Sequence, residues 1–190
     1  MKLIKSESPL RSKRLLLEPQ VEAHAALLHD NLCDNSLYIY VPQDPPRSAE
    51  AFAALVTRFR KLSTRLSPDG TEAWLNWVLK DRASGNYVGT VQATVHSDLT
   101  GNIAYQTFAG YLRKGYAKEG CGKVIEHLFK DYGVQFIEAL IDTRNTASIK
   151  LVESLGFTSR EVVNGADFFK GCNSNEYRYR LDKSQACSGD

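Results

Sequence analysis

Two stretches of this 190-residue chain carry residue types and spacings suited to chemistry. The first is Tyr111-Leu112-Arg113-Lys114-Gly115-Tyr116-Ala117-Lys118-Glu119, which lies where an extended segment gives way to a helix. A glycine there lets the backbone approach a ligand closely, and the first turn of a helix presents unpaired N–H groups with partial positive charge. Arg113, Lys114 and Lys118 add full charges, so the segment reads either as a phosphate cradle or as a solvated basic cap. The second stretch, Asn145-Thr146-Ala147-Ser148-Ile149-Lys150-Leu151-Val152-Glu153-Ser154-Leu155-Gly156-Phe157, opens a helix on polar residues and stops it at a glycine.

Positioning these stretches requires a scaffold, and the apolar periodicity supplies one. Residues 14–19 (R-L-L-L-E-P) read as a strand closed by proline, and Val21, Ala25, Leu28 and Leu32 follow at helical spacing. A proline-rich loop over residues 41–47 leads to a second helix, with Ser48 as N-cap and Phe52, Leu55, Phe59 and Leu62 as its apolar positions. After the turn Ser67-Pro68-Asp69-Gly70, strands are expected at 73–80, 87–96 and 102–108, an antiparallel meander in which Val91, Ala93 and Val95 alternate with polar residues. The period then changes to 3.6 along Ala117, Cys121, Val124, Ile125, Leu128 and Phe129, a helix that contains Gly120 and Gly122. Strands at 136–142, 158–163 and 176–181 and a helix at 147–155 complete an α/β order, a mixed sheet with helices on its faces. One domain over residues 1–181 accommodates all of this, with residues 182–190 as a frayed polar tail.

Composition narrows the classes. Formal charge is +2, from 24 basic and 22 acidic residues, unlike the one-sided charge of a dedicated nucleic-acid binder. No apolar run approaches the ~20 residues of a membrane span, and the polar start lacks the core of a secretory signal, so a soluble cytoplasmic protein is expected. Cys33, Cys121, Cys172 and Cys187 form no C-x-x-C pair and have no histidines at ligand spacing, so free thiols and no metal site are expected. Cys121 reads as a packed core thiol, and His96 and His127 as ordinary surface or partly buried residues.

The two stretches together, each at a strand-to-helix junction, resemble the GNAT acyltransferases, in particular the branch of ribosomal-protein N-terminal acetyltransferases. That branch has a loop of the form Gln/Arg-x-x-Gly-x-Gly/Ala and a later helix that opens Asn-x-x-Ser and closes Leu-Gly-Phe. Here the loop is Leu112-Arg113-Lys114-Gly115-Tyr116-Ala117, and Leu112 departs from the pattern because it has no side-chain donor. The resemblance implies a sheet of about seven mostly antiparallel strands and about four helices, with a splayed parallel pair that holds coenzyme A. It implies acetyl-CoA as cosubstrate. Its pyrophosphate would lie on Arg113, Lys114, Gly115, Tyr116, Ala117 and Lys118, and its pantetheine arm against backbone groups of Gln106, Thr107 and Phe108 and against Asn145. The N–H of Thr107 would polarise the thioester carbonyl.

For the chemistry, the resemblance makes Ser148 the acid toward the leaving sulfur, although a serine at a helix start also serves as a cap. The tyrosine acid that many such enzymes carry four residues later is replaced by Val152. The base falls on Asp167, ten residues past Phe157 and followed by Phe168, Phe169, Lys170 and Gly171, where aromatic neighbours should raise its pKa. The alternative is a turn aspartate before a strand. The implied activity is acetylation of a primary amine, either the N-terminal α-amine of a protein or peptide, or a small amine such as an antibiotic, polyamine or aminoacyl nucleotide. A non-catalytic acyl-CoA-binding module and a homodimer are also compatible with the sequence. A long open groove favours a peptide and an enclosed pocket a metabolite.

Overall fold

The computed structural model describes residues 9–61 and 66–186. Eight strands form one sheet: β1 (Leu10–Arg11), β2 (Leu15–Pro19), β3 (Glu72–Asp81), β4 (Tyr87–His96), β5 (Thr100–Thr107), β6 (Phe136–Asp142), β7 (Thr158–Phe169) and β8 (Cys172–Asp182). Their order is β1-β2-β3-β4-β5-β6-β8-β7, antiparallel throughout except for the β5–β6 pair. The helices are α1 (His24–Leu32), α2 (Ala49–Lys61), α3 (Tyr116–His127), α4 (Thr146–Ser154) and the short α5 (Lys183–Ala186).

Strand alternation sends one set of side chains to each face of the sheet. Leu75, Trp77, Leu79, Val91, Ile103, Ile137 and Ala139 pack with Cys121, Val124 and Ile125 of α3 and Val152 of α4 in the main core. On the opposite face Leu28 and Leu32 of α1 pack with Val78 and Phe108, and Phe52 of α2 leans on the same cluster. Removing each such leucine or valine side chain from water is worth roughly 1.5–3 kcal/mol.

The parallel pair is short, and that shapes the site. β5 and β6 share register only from Thr100↔Phe136 to Asn102↔Glu138. Beyond that point β5 stays bound to β4 as far as Thr107, and β6 stays bound to β8 as far as Asp142↔Glu176. Each strand follows its own antiparallel partner, so the twisted sheet opens into a gap between them.

Several boundaries differ from the sequence reading. Val21 lies outside α1, and its N–H donates to His24 Nδ1 at 3.0 Å. Among the described side chains of α2 the buried one is Val56 (6% exposed), whereas Leu55 is 45% exposed; the side chain of Phe59 and all of Leu62 fall outside the described residues. Ser48 does cap α2, accepting from the Ala51 N–H at 3.1 Å. β7 does not stop at Val163 but runs on to Phe169, and β8 begins at Cys172. The turn-forming run at residues 164–166 is instead a bulge: the register shifts between Val163 and Asp167, Gly165 takes φ +60°, and its N–H donates to Asn175 Oδ1. At the other end of the pair Asp182 closes β8 and α5 follows, while Cys187 lies outside the described residues.

Candidate active site

The helix start of the sequence reading is built as a cradle of backbone donors. Arg113 (φ +58°) and Gly115 (φ +79°) both adopt the left-handed conformation, and Gly115 leads into α3 with no side-chain cap. The Glu119 N–H closes the first turn on the Gly115 carbonyl, so the N–H groups of Tyr116, Ala117 and Lys118 have no acceptor within the helix. Arg113, Lys114 and Lys118 are all exposed around them, Lys114 Nζ donating to the Gly110 carbonyl at 2.8 Å. Leu112 points to solvent, 53% exposed.

A residue not singled out from sequence fixes this cradle. Arg14 donates to the Lys114 carbonyl at 2.9 Å, lies 4.6 Å over the Tyr116 ring and pairs with Glu119 at 2.6 Å. Burial pushes the Glu119 carboxyl up, but bonds from the Arg14 N–H, the Ser12 hydroxyl and the Arg14 guanidinium outweigh it and hold the group below its ordinary range. A charged latch thus joins the turn before β2 to the first turn of α3.

The gap between β5 and β6 opens beside this cradle. The Phe108 N–H donates to the Val88 carbonyl and the Phe108 carbonyl accepts from Tyr111, so Phe108 has no donor to offer a ligand. Antiparallel alternation then directs the N–H of Thr107 away from β4, toward the gap, while Gln106 faces Thr90 in the ladder. The Gln106 side chain is bonded to Tyr38, whose phenol burial pushes up in pKa. On the α3 face Tyr105 donates to the Ser148 carbonyl at 3.1 Å and ties β5 to α4 across the gap.

At the start of α4 the cap is Asn145. Its Oδ1 accepts from the Ser148 N–H at 3.1 Å, leaving the Asn145 NH2 free to donate. The Ser148 hydroxyl therefore does not serve as the cap, and its side chain is hydrogen-bonded to the Tyr105 phenol. Val152 is fully buried in the core. Burial also pushes the Cys121 thiol far up, so it stays a neutral core group.

The far bank of the gap is the β7–β8 hairpin. Asp142, its side chain 0% exposed, is held by Arg144 Nη2 at 2.6 Å and Ser174 Oγ at 2.8 Å. Arg144 chiefly, against burial, brings the Asp142 carboxyl down to about 2. Asp167 is exposed, with Oδ1 accepting from the Phe168 N–H at 2.7 Å. Phe168 is 67% exposed, so the aromatic enclosure expected around Asp167 does not form; only Phe169 turns inward. At the tip Lys170 donates to the carbonyls of Tyr38, Val41 and Gln43, pinning the hairpin to the segment after α1. Sequence reading had no local signal for this contact, whose partners are 127 to 132 residues apart.

Among the described residues no group of three or more His, Cys, Asp or Glu is placed to hold a metal ion, and no helix is long and apolar enough to cross a membrane. A splayed parallel pair, a donor-rich helix start at one end and a second capped helix across from it define a coenzyme-A-dependent acyltransferase architecture. A family model described as an acetyltransferase (GNAT) domain matches residues 14–158, and the chain belongs to that family of acetyl-CoA-dependent N-acetyltransferases. It is 22% identical over 156 residues to the N-acetyltransferase YoaA of Bacillus subtilis, covering 81% of this chain and 85% of that one. Among solved structures it is similar to the ribosomal-protein-S5-alanine acetyltransferase of Vibrio fischeri, with TM-score 0.79 and 17% identity over 92% of this chain and 96% of that one. It is also similar to the spermidine N-acetyltransferase of Vibrio cholerae in complex with CoA and spermine, with TM-score 0.77 and 16% identity over 93% of this chain and 100% of that one.

Proposed function

We propose that this acetyltransferase acts on the N-terminal α-amine of a protein or peptide, with residues 1–181 as its one catalytic domain. The observation that carries the reading of the site is the β5–β6 gap, which opens after Asn102↔Glu138 between the uncapped start of α3 and the Asn145-capped start of α4. In this reading the free N–H groups of Tyr116, Ala117 and Lys118, with Arg113, Lys114 and Gly115, hold the pyrophosphate of acetyl-CoA. The Asn145 amide and the backbone of Thr107 line the pantetheine arm, Gln106 being committed to β4, and the Thr107 N–H faces the thioester carbonyl. Acetyl-CoA supplies the activated acetyl group. Ser148 holds the proton for the departing sulfur, and a carboxylate of the β7–β8 hairpin takes the proton of the amine.

Support for a peptide acceptor comes from the face opposite α3 and α4. There an exposed strip bearing Gln92 and Ala104 leads to a cavity of about 240 Å3 under α2, lined by Gln20, Phe52, Trp74, Asn76 and Thr94. These are neutral amides and apolar groups, suited to main chain and uncharged side chains, whereas a polycation calls for carboxylates along its length. The second reading, a polyamine acceptor, is favoured by the similarity to the Vibrio cholerae spermidine enzyme.

Calorimetry with acetyl-CoA, followed by thiol release against alanine- and serine-initiated peptides and spermidine, tests this. Binding with release on the peptides is the expected result. Release on spermidine alone transfers the assignment to the second reading, and binding without release leaves an acyl-CoA-binding module. Absence of binding at about 1 mM acetyl-CoA overturns the site itself.

A further inference from the structure

Asp142 at the end of β6 and Asp167 and Glu176 on the β7–β8 hairpin stand near that bank of the gap, and each has a different environment. Asp142 is consumed by Arg144 and Ser174. Asp167 is exposed and bonded to the N–H of its own neighbour, Phe168. Glu176 is half-buried, and no donor among the described residues is bonded to its carboxylate.

The register fixes where Glu176 points. It pairs with Asp142 across the β6–β8 ladder, and directly opposed residues send their side chains to the same face. Ser174, two residues earlier on β8, reaches Asp142 from that face. It is the face opposite α3 and α4, on which Tyr38 and Gln106 form the other bank of the gap. Glu176 therefore stands at the end of β6, one strand from the opening and just before the turn that presents Asn145 and Ser148.

Its electrostatic surroundings suit proton uptake. Burial, then Asp167 and Asp142, push the Glu176 carboxyl up from its ordinary value. The charged groups around it are Asp142 with its partner Arg144, Asp167 on β7, and Arg178 further along β8, which pairs with Glu161 at 3.0 Å. Lys170 at the hairpin tip is turned to the carbonyls of Tyr38, Val41 and Gln43. Each of these three cations thus already has an acceptor. An unpaired, partly desolvated carboxylate is the environment that tunes a base toward neutral pH.

We propose that Glu176, rather than Asp167, is the catalytic base of the transfer, an assignment that rests on the acetyl-transfer reading above. Glu176 takes one proton from the incoming ammonium and releases it to solvent. The nitrogen lone pair then forms the C–N bond to the acetyl carbon, the C–S bond breaks, and the nitrogen's surplus proton passes to the departing sulfur with the Ser148 hydroxyl as relay. The balance is an ammonium and a thioester converted to an amide, a thiol and one proton.

The test compares wild type, Glu176→Gln and Asp167→Asn in acetyl-CoA calorimetry and in kcat/KM from pH 5 to 9 with an alanine-initiated peptide and spermidine. Glu176→Gln should keep the wild-type acetyl-CoA Kd and thermal midpoint, lower kcat/KM by about 100-fold and lose the acidic limb of the profile. Asp167→Asn should retain activity and move that limb to lower pH, since a neighbouring negative charge has been removed. An acidic limb that survives in Glu176→Gln, or that vanishes in Asp167→Asn instead, overturns the assignment. If wild type binds acetyl-CoA but acetylates neither amine, the transfer reading falls and this assignment with it; if it does not bind acetyl-CoA at all, the cosubstrate site itself is overturned, and the assignment of Glu176 falls with it.

Discussion

Asp142 shows how one carboxylate can organise the entrance to a helix. Its Oδ1 accepts from the Arg144 N–H and Nε, its Oδ2 from Arg144 Nη2 and Ser174 Oγ, and its carbonyl accepts from the Asn145 N–H. The turn that delivers Asn145 and Ser148 is therefore anchored by a fully covered charge. Because the folded pKa is depressed to about 2 from 3.8, the stabilisation is fully present above pH 4 and is lost as pH falls toward 2. The shift corresponds to about 2 kcal/mol, an upper value because Arg144 is half exposed and screened. Asp142→Asn should be destabilised by that order at pH 7 in urea unfolding and should lose less than wild type between pH 4 and 2. Parallel decline of the two proteins over that interval would remove the anchoring role from Asp142.

Within α3 the two glycines make opposite demands on the element. A Cβ on Gly120 would stand 2.8 Å from Leu79 Cδ1 in the core, whereas one on Gly122 would meet only Leu155 Cδ2 at 3.8 Å. Leu79 is 1% exposed and has nowhere to withdraw, so Gly120→Ala should cost about 1–3 kcal/mol of overpacking against about 1 kcal/mol of helix propensity gained. Gly122→Ala has room and should gain roughly 0.5–1 kcal/mol. Thermal midpoints moving in opposite directions are the expected result, and equal shifts would discard the close-packing account of Gly120. The sequence announced α3, β4 and α4 well because their apolar periods follow burial: Val91 and Val95 are fully buried, and Val124 and Val152 likewise. It misplaced β7 because almost every residue of that strand is exposed, so no alternation marks it, and Gly165 in a bulge looks like a turn. The backbone donors near residues 113–118 were legible because a left-handed glycine before a helix is a local feature. Arg14 on Glu119, Lys170 on the Tyr38 carbonyl and Glu176 opposite Asp142 were not, because each joins segments far apart in the chain with no local pattern.

In the proposed reading the molecule as a whole separates its two substrates by face. The helix-start cradle of α3 and the α4 cap lie with the main core on one side of the sheet, whereas Tyr38, Gln106 and the hairpin bank lie on the other, and the β5–β6 gap is the passage between them. In that reading coenzyme A and amine meet at the gap without sharing a surface. Lys170 is the test of that division, since it holds the hairpin to the segment after α1 on the amine side and touches nothing in the cradle. One ammonium satisfying several carbonyls is a positional clamp, and hydrogen bonds to a charged group are worth roughly 1.5–3 kcal/mol. With Lys170→Ala the hairpin loses its tether, so the amine KM should rise while the acetyl-CoA Kd stays at the wild-type value. Hydrogen exchange should speed up in residues 38–43 and 167–172 and remain unchanged at the start of α3. A variant that loses acetyl-CoA affinity in step with amine affinity would mean that the two faces are mechanically one site, and that the hairpin governs both.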